Sequence, residues 1–318
     1  MGALTDPSSP WLDLPEVSLP IVLEASAAGL DELVDLPEGS ALTLARVDRE
    51  TATVRAARWR DTGSLEFYPA STIKLATVAL ALGVMDRYGW DLDTVIEVGD
   101  DLPISLRRLL ASTIVLSSNS GFCTLHELVG TRETHEAMRS WGIKDSIVRR
   151  HFRRPAYSHS RVIKAYRGGE VVTTIPERPA FDAEPETSGV KTRSNVYTTD
   201  DFCRLAAAVL AGPDVRGTTF YNHLPNWLSL TNHSYVAEGL GEVTGKLAGH
   251  PAFVTLNKPG WWPGTGAVSE VGYIYDVQMD EHYVFGVYHQ GTLPEAHVNT
   301  MRAFEAVFTA IHRDGLRL

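Results

Sequence analysis

Ser71 and Lys74 stand three residues apart at the head of an apolar run, Ser71-Thr72-Ile73-Lys74-Leu75. Three residues is nearly one helical turn, so on a helix the hydroxyl and the amine share a face. An amine beside a hydroxyl suits a base that activates a nucleophile. A helix N-terminus adds unpaired N–H groups and a dipole that favour negative charge. A surface lysine next to a capping serine has the same spacing, so the pair gains meaning only with partners. Two later segments supply candidates. Ser117-Ser118-Asn119 lies between helix-like stretches, and Lys258-Pro259-Gly260 follows the strand-like run Pro251 to Leu256.

These groups need elements to hold them. Pro20 to Asp35 reads as a first helix, with Leu23, Ala27, Leu30 and Val34 at helical spacing. Ala41 to Val47 and Thr51 to Trp59 read as strands joined by a turn at Asp48-Arg49-Glu50. The run from Ser71 carries Leu75, Val78, Ala79, Leu82 and Met85 and is apolar on nearly every side, which predicts a buried central helix. Helical pattern continues through Leu106–Leu116 and Gly121–Leu128. The stretch 148–189 is irregular, with a β-hairpin expected where Arg161 to Tyr166 and Glu170 to Ile175 flank Arg167-Gly168-Gly169. Thr198-Thr199-Asp200-Asp201 caps a helix over Phe202 to Leu210. Strands resume at Ala252–Leu256, Val271–Gln278 and Tyr283–Tyr288, before a final amphipathic helix carrying Val298, Met301, Phe304, Phe308 and Ile311. Strands at both ends with helices between imply one antiparallel sheet built from distant segments around a helical insertion.

Composition narrows the classes. The 318 residues, 44% hydrophobic, allow a large core as one domain or two interleaved ones. A formal net charge of −10 argues against nucleic-acid binding. The basic cluster Arg149, Arg150, Arg153, Arg154, Arg161, Lys164 and Arg167 reads as a solvated face or hairpin, or as a field drawing an anionic substrate. Cys123 and Cys203 lie in apolar helical runs and read as free buried thiols. No run reaches the roughly 18 apolar residues of a membrane span. Met1 to Pro20 lacks a basic-then-apolar leader pattern, which leaves either a cytoplasmic chain or one whose export signal was removed. His126-Glu127 starts a zinc pattern, but Gly130 stands where its second histidine belongs, so no metal is expected. No dinucleotide fingerprint is present, and no cofactor is expected.

The ordered set Ser-x-x-Lys (Ser71, Lys74), Ser-x-Asn (Ser117, Asn119) and Lys-x-Gly (Lys258, Gly260) resembles the class A β-lactamase-like family of penicillin-recognising serine enzymes, over roughly residues 40 to 312. The resemblance implies an α/β fold: an antiparallel sheet flanked by terminal helices, with an inserted all-helical domain and the site in the cleft between. Residues 20–62 and 245–318 would then form the sheet domain, 63–244 the helical one, and 1–19 an extension. It also implies Ser71 as nucleophile, Lys74 as acylation base or its electrostatic partner, and Ser117 as proton relay to the leaving group. Asn119 would bind the acyl side chain, Lys258 an anionic group, and the backbone N–H groups of Ser71 and Trp261 the oxyanion. Glu184, in Glu184-Pro185-Glu186-Thr187-Ser188, matches the loop glutamate that positions the deacylating water, with Ser188 at the place of a water-holding Asn.

The expected activity is hydrolysis of a β-lactam through an acyl-enzyme. The alternatives are an esterase, amidase or peptidase on another small molecule, and a non-catalytic binding homologue. A monomer is expected. Two departures from the family pattern bear on substrate. Ser118 replaces an aspartate, and Pro259 replaces a threonine whose hydroxyl helps hold a β-lactam carboxylate. Trp261 and Trp262 follow at once, as an aromatic platform or a narrowing of the cleft.

Overall fold

Period-two alternation along residues 41–48 sends Ala41, Ala45 and Val47 to one face and Leu42 and Leu44 to the other, and both sets are buried. A strand buried on both faces must lie inside a sandwich of layers. That is its place in the computed structural model, which describes residues 21–26, 29–48, 53–60, 62–144, 146–149, 151–153, 159–179, 195–211, 223–231, 234–247, 249 and 251–318.

The chain begins with strands β1 (Val22–Ala25), β2 (Ala41–Asp48) and β3 (Thr53–Arg58), then helix α1 (Lys74–Tyr88). Short strands β4 (Val95–Val98) and β5 (Ile104–Ser105) precede helices α2 (Leu106–Ile114), α3 (Asn119–Val129) and α4 (Thr131–Ser140). Strands β6 (His159–Ser160), β7 (Ile163–Arg167), β8 (Glu170–Ile175) and β9 (Arg178–Pro179) follow, then helices α5 (Thr199–Ala206), α6 (His223–Ser229) and α7 (Tyr235–Lys246). Strands β10 (Phe253–Trp262), β11 (Ala267–Asp276) and β12 (Glu281–Gln290) lead into α8 (Leu293–Asp314).

Six strands form the main sheet in the order β1-β3-β2-β12-β11-β10, antiparallel throughout except for the parallel β1–β3 pair. One face packs on α1 and the helices around it; the other is covered by α7 and α8. The intervening segment also holds a four-stranded sheet, β5-β4-β7-β8. Its β7–β8 turn needs Gly168 (φ 60°) and Gly169 (φ 87°), since both positions have left-handed backbone.

The helix expected over Pro20 to Asp35 is not formed in the described part of that range. Residues 22–25 are extended, with Val22 opposite Thr53 and Ala25 opposite Ala56. Pairing with the free edge of β3 satisfies their backbone groups. The helical spacing of Leu30 and Val34 reflects a single turn, Val34 N–H to Leu30 C=O at 2.9 Å, which buries both side chains. The turn at 48–50 falls partly outside the described residues. The strand expected to stop at Leu256 runs on to Trp262, so Lys258-Pro259-Gly260 lies inside β10. Pro259 is tolerated there because β10 is the sheet edge, where one side of the strand needs no ladder donor.

The basic cluster is largely spent on structure. Arg161 pairs with Glu127 and Asp101, Arg153 with Asp101, Lys164 with Glu97 and Arg167 with Asp91. Glu127 is fully buried and also accepts from His151 at 3.1 Å. Both cysteines are buried free thiols. No helix among the described residues is long and apolar enough to cross a membrane.

The sheet and α1 meet at Gly260. A Cβ there would stand 2.7 Å from the Pro69 carbonyl oxygen, 2.9 Å from Ser269 Oγ and 2.9 Å from Ser71 N. Gly260→Ala should therefore push β10 from the segment before α1 and cost about 1–3 kcal/mol, the usual range for overpacking. Urea denaturation should show that loss; an unchanged midpoint would mean the contact gives way freely.

Candidate active site

Ser71 lies in a 3₁₀ turn, Ala70–Ile73, that feeds directly into α1, so Lys74 is the first residue of the α-helix proper. The expectation of Ser71 at an α-helical N-terminus is thus shifted by one tight turn. That turn is held to the sheet through the Pro69 carbonyl, which accepts from Thr72 Oγ1 and from Ser269 Oγ on β11. Ala70 has φ 50°, a left-handed backbone that a residue with a Cβ adopts at a cost of order 1–3 kcal/mol. Ser117 shows the same feature, φ 54°, in the α2–α3 connection. Two strained residues flanking one group of polar side chains mark a site where geometry outweighs local stability.

Ser118 caps α3 by accepting from Gly121 N–H at 3.0 Å. The cap fixes Asn119 as the first helical residue and turns Ser117 toward Lys74. Lys74 Nζ then lies 2.9 Å from Ser71 Oγ, 2.5 Å from Ser117 O, 3.1 Å from Ser117 Oγ and 2.8 Å from Asn119 Oδ1. The Ser117 carbonyl and the Asn119 amide oxygen are acceptors only, so each takes an N–H from Lys74. When Lys74 is neutral those two bonds use both its hydrogens, and its lone pair is left to accept a hydroxyl proton. Ser71 Oγ is the nearest hydroxyl.

The electrostatics favour that neutral form. Lys74 is completely buried, and burial, with Lys258 as a nearby like charge, lowers its pKa to about 7. Lys258 is lowered to about 8 by burial, opposed by Glu270, and donates to its own neighbour, the Pro259 carbonyl, at 2.9 Å. The structure therefore gathers Ser71, Lys74, Ser117 and Asn119 into one hydrogen-bonded cluster. Lys258 acts on this cluster through its charge, which helps lower the Lys74 pKa, while its own hydrogen bond goes to the Pro259 carbonyl. Gly260 and Trp261 border the same space: Trp261 lines the cleft over Ser71, and Gly260 brings the strand to the Ser71 amide. Glu184, Glu186 and Ser188 lie outside the described residues.

Several residues at the site were not anticipated. Glu270, opposite Pro259 on β11, is fully buried and raised to about 7 by burial. Its carboxylate accepts from Ser234 Oγ at 2.8 Å and Tyr235 N–H at 3.2 Å, at the N-terminus of α7. An acidic residue in an otherwise apolar strand pattern was the available signal. Phe152 and Tyr68 join the expected Trp261 and Trp262 along the cleft. Phe152 comes from the irregular stretch after residue 148, where no periodicity announces it.

The profile of the Beta-lactamase enzyme family matches residues 61–306, and the chain belongs to that family. Solved structures share its fold at low identity. A β-lactamase from Sphaerobacter thermophilus is 19% identical, with a TM-score of 0.58 over 86% of this chain and 92% of that one. A class A β-lactamase representative from Bacteroides cellulosilyticus is likewise 19% identical, with a TM-score of 0.58 over 87% and 93%. PBP-A is 13% identical, with a TM-score of 0.60 over 93% and 100%. A search of curated proteins by sequence returns no match. The architecture is thus the class A β-lactamase-like α/β fold, a mixed sheet with a helical region.

The two lysines make pH a direct probe. Lys74 sits below its ordinary 10.5, so between about 7 and 10.5 the native state holds fewer protons than the unfolded one, and its contribution to stability rises with pH across that window. Catalysis by neutral Lys74 should give kcat/KM an ascending limb near pH 7. Lys258→Met removes the like charge, which raises the Lys74 pKa and moves that limb to higher pH. A limb that stays in place would show that Lys258 does not act on Lys74 through charge.

Proposed function

We propose that the chain is a serine hydrolase that works through a covalent acyl-enzyme on Ser71. The observation that carries this reading is the buried Lys74 amine, within hydrogen-bonding distance of both Ser71 Oγ and Ser117 Oγ. Neutral Lys74 takes the Ser71 proton as Oγ attacks the substrate carbonyl. The carbonyl oxygen becomes an oxyanion between the amides of Ser71 and Trp261. The proton then passes through the Ser117 hydroxyl to the leaving nitrogen or oxygen, which breaks the acyl bond. Water activated by Glu184 attacks the acyl carbon, and Ser71 regains its proton. Asn119 anchors Lys74 through Oδ1 and turns its exposed end to the acyl side chain.

The leading substrate is a β-lactam amide, in keeping with the family. A second reading, an ester or amide outside that class, is favoured by two observations. Pro259 offers no side-chain hydroxyl to a substrate carboxylate, and the Lys258 ammonium is bonded to backbone with a buried carboxylate nearby. Intact mass after mixing with penicillin and with an activated ester separates the readings. Transient penicilloyl adduct with turnover supports the first, ester turnover alone supports the second, and no adduct with either reagent supports a non-catalytic binder.

Ser71→Ala should lower turnover at least about 10³-fold, about 4 kcal/mol in the barrier; activity that survives it removes Ser71 from the mechanism. Glu184→Gln should slow deacylation more than acylation, so that an adduct accumulates on a competent substrate. Burst kinetics that match the parent protein would assign the deacylating base elsewhere.

A further inference from the structure

Glu270 is completely buried in the main sheet, and its hydrogen bonds come from neutral donors at the start of α7. Ser234 Oγ accepts the Ala237 N–H at 2.9 Å, which leaves its own hydrogen to donate to Glu270 Oε1 at 2.8 Å. Tyr235 N–H donates to Oε2 at 3.2 Å. Both carboxyl oxygens thus serve as acceptors, an arrangement made for the anion, and the α7 dipole favours negative charge at the same place. Burial opposes this and pushes the carboxyl up to about 7, so Glu270 is an anion above neutral pH. A buried anion with no bonded cation among the described residues is costly to keep.

The register shows which cation it serves. Glu270 opposes Pro259 on β10, and the adjoining rung pairs Lys258 with Val271. Alternation sends Lys258 and Val271 to the α1 face and Glu270 to the α7 face. The two charges therefore meet across one dry strand pair, not in a bonded ion pair, and Lys258 donates to the Pro259 carbonyl. The other elements packed around Glu270 are quieter. β12 sets Val287 opposite it, and the Tyr235 phenol, raised to about 12, stays protonated. Glu238, farther along α7, is bonded to His297 of α8. On the α1 face, Lys258 confronts the Lys74 amine.

Resting on the reading of Lys74 as the base for Ser71, we propose that Glu270 is a positioning residue for catalysis: a built-in anion that holds Lys258 as an ammonium and, through it, keeps Lys74 a free amine. The relay has two steps of opposite sign. A carboxylate stabilises the neighbouring ammonium, and that ammonium disfavours a second positive charge on Lys74. Acting directly, the same carboxylate would favour a protonated Lys74. The sign of the effect on Lys74 therefore reports the route.

Two measurements on the full chain test this. The first is the pH profile of kcat/KM with penicillin or p-nitrophenyl acetate, whichever is turned over. Glu270→Gln should move the ascending limb to higher pH by at least about half a unit. In Lys258→Met the same change should move it no further. A lowered plateau with the limb in place would make Glu270 merely structural and overturn the proposal. So would a limb that moves to lower pH, or one that moves equally in Lys258→Met. Should Glu270→Gln fail to fold, Ser234→Ala stands in, since it removes one donor from the carboxylate and is bonded to neither lysine. It should move the limb the same way by less, and an unmoved limb overturns the proposal.

The second follows the ¹³Cε resonances of the two buried lysines by NMR in Ser71→Ala, with Lys258→Met to assign them. Adding Glu270→Gln should make Lys258 lose its proton at lower pH and Lys74 at higher pH. That result supports the relay even if no substrate is turned over, in which case the acyl-enzyme reading fails alone. Two titrations that stay in place, or that both fall, overturn the relay.

Discussion

The site depends on taking one primary amine out of water. Lys74 opens a helix whose every residue from Lys74 to Leu82 is buried, and its side chain has no exposure at all. A buried ammonium costs several kcal/mol unless it is well satisfied or gives up its proton. Here both remedies are at hand: two obligate acceptors, the Ser117 carbonyl and Asn119 Oδ1, and a pKa near neutrality. The surrounding architecture keeps that amine dry. Cap geometry at Ser118 turns the Ser117 carbonyl inward, and the docking of β10 through Gly260 closes the far side.

Much of this could be read from the chain. The three motifs are ordered in sequence and hold the side chains that cluster around Lys74, because helical spacing fixes Ser71 against Lys74 and a serine cap fixes Asn119. The long strands were also legible, since burial of β2, β11 and β12 on both faces demands near-continuous apolar runs. Failures share a cause. Val22–Ala25 forms a strand because the edge of β3 is open, and an open edge is a tertiary fact that a helical spacing of Leu23, Leu30 and Val34 cannot reveal. The four-stranded sheet escaped notice because β4 and β5 are too short to show a period. Phe152 and Glu270 reach the site by chain folding alone, with no motif around them.

Charge is managed differently on the two sides of Ser71. On the α3 side, Arg161, Glu127, His151 and Asp101 neutralise one another in a network that pins the stretch before β7 against α3. This network holds Arg161 of the basic cluster in ion pairs within the fold. On the sheet side, Lys258 and Glu270 are both buried and shift each other's titration, Lys258 favouring the ionised carboxylate and Glu270 the ammonium. Both arrangements set buried charges against partners of opposite sign.

The order of the chain has a kinetic consequence. Ser71 and Lys74 are translated early, yet the strand that completes their pocket, β10, comes about 180 residues later and can join the sheet only through β11, with β12 bridging to β2. Such distant pairing makes loop closure slow to be repaid. During synthesis α1 must therefore wait, apolar and unroofed, while most of the polypeptide is still being made. Nascent chains stalled before β12 emerges would lack the completed pocket and be prone to capture by chaperones.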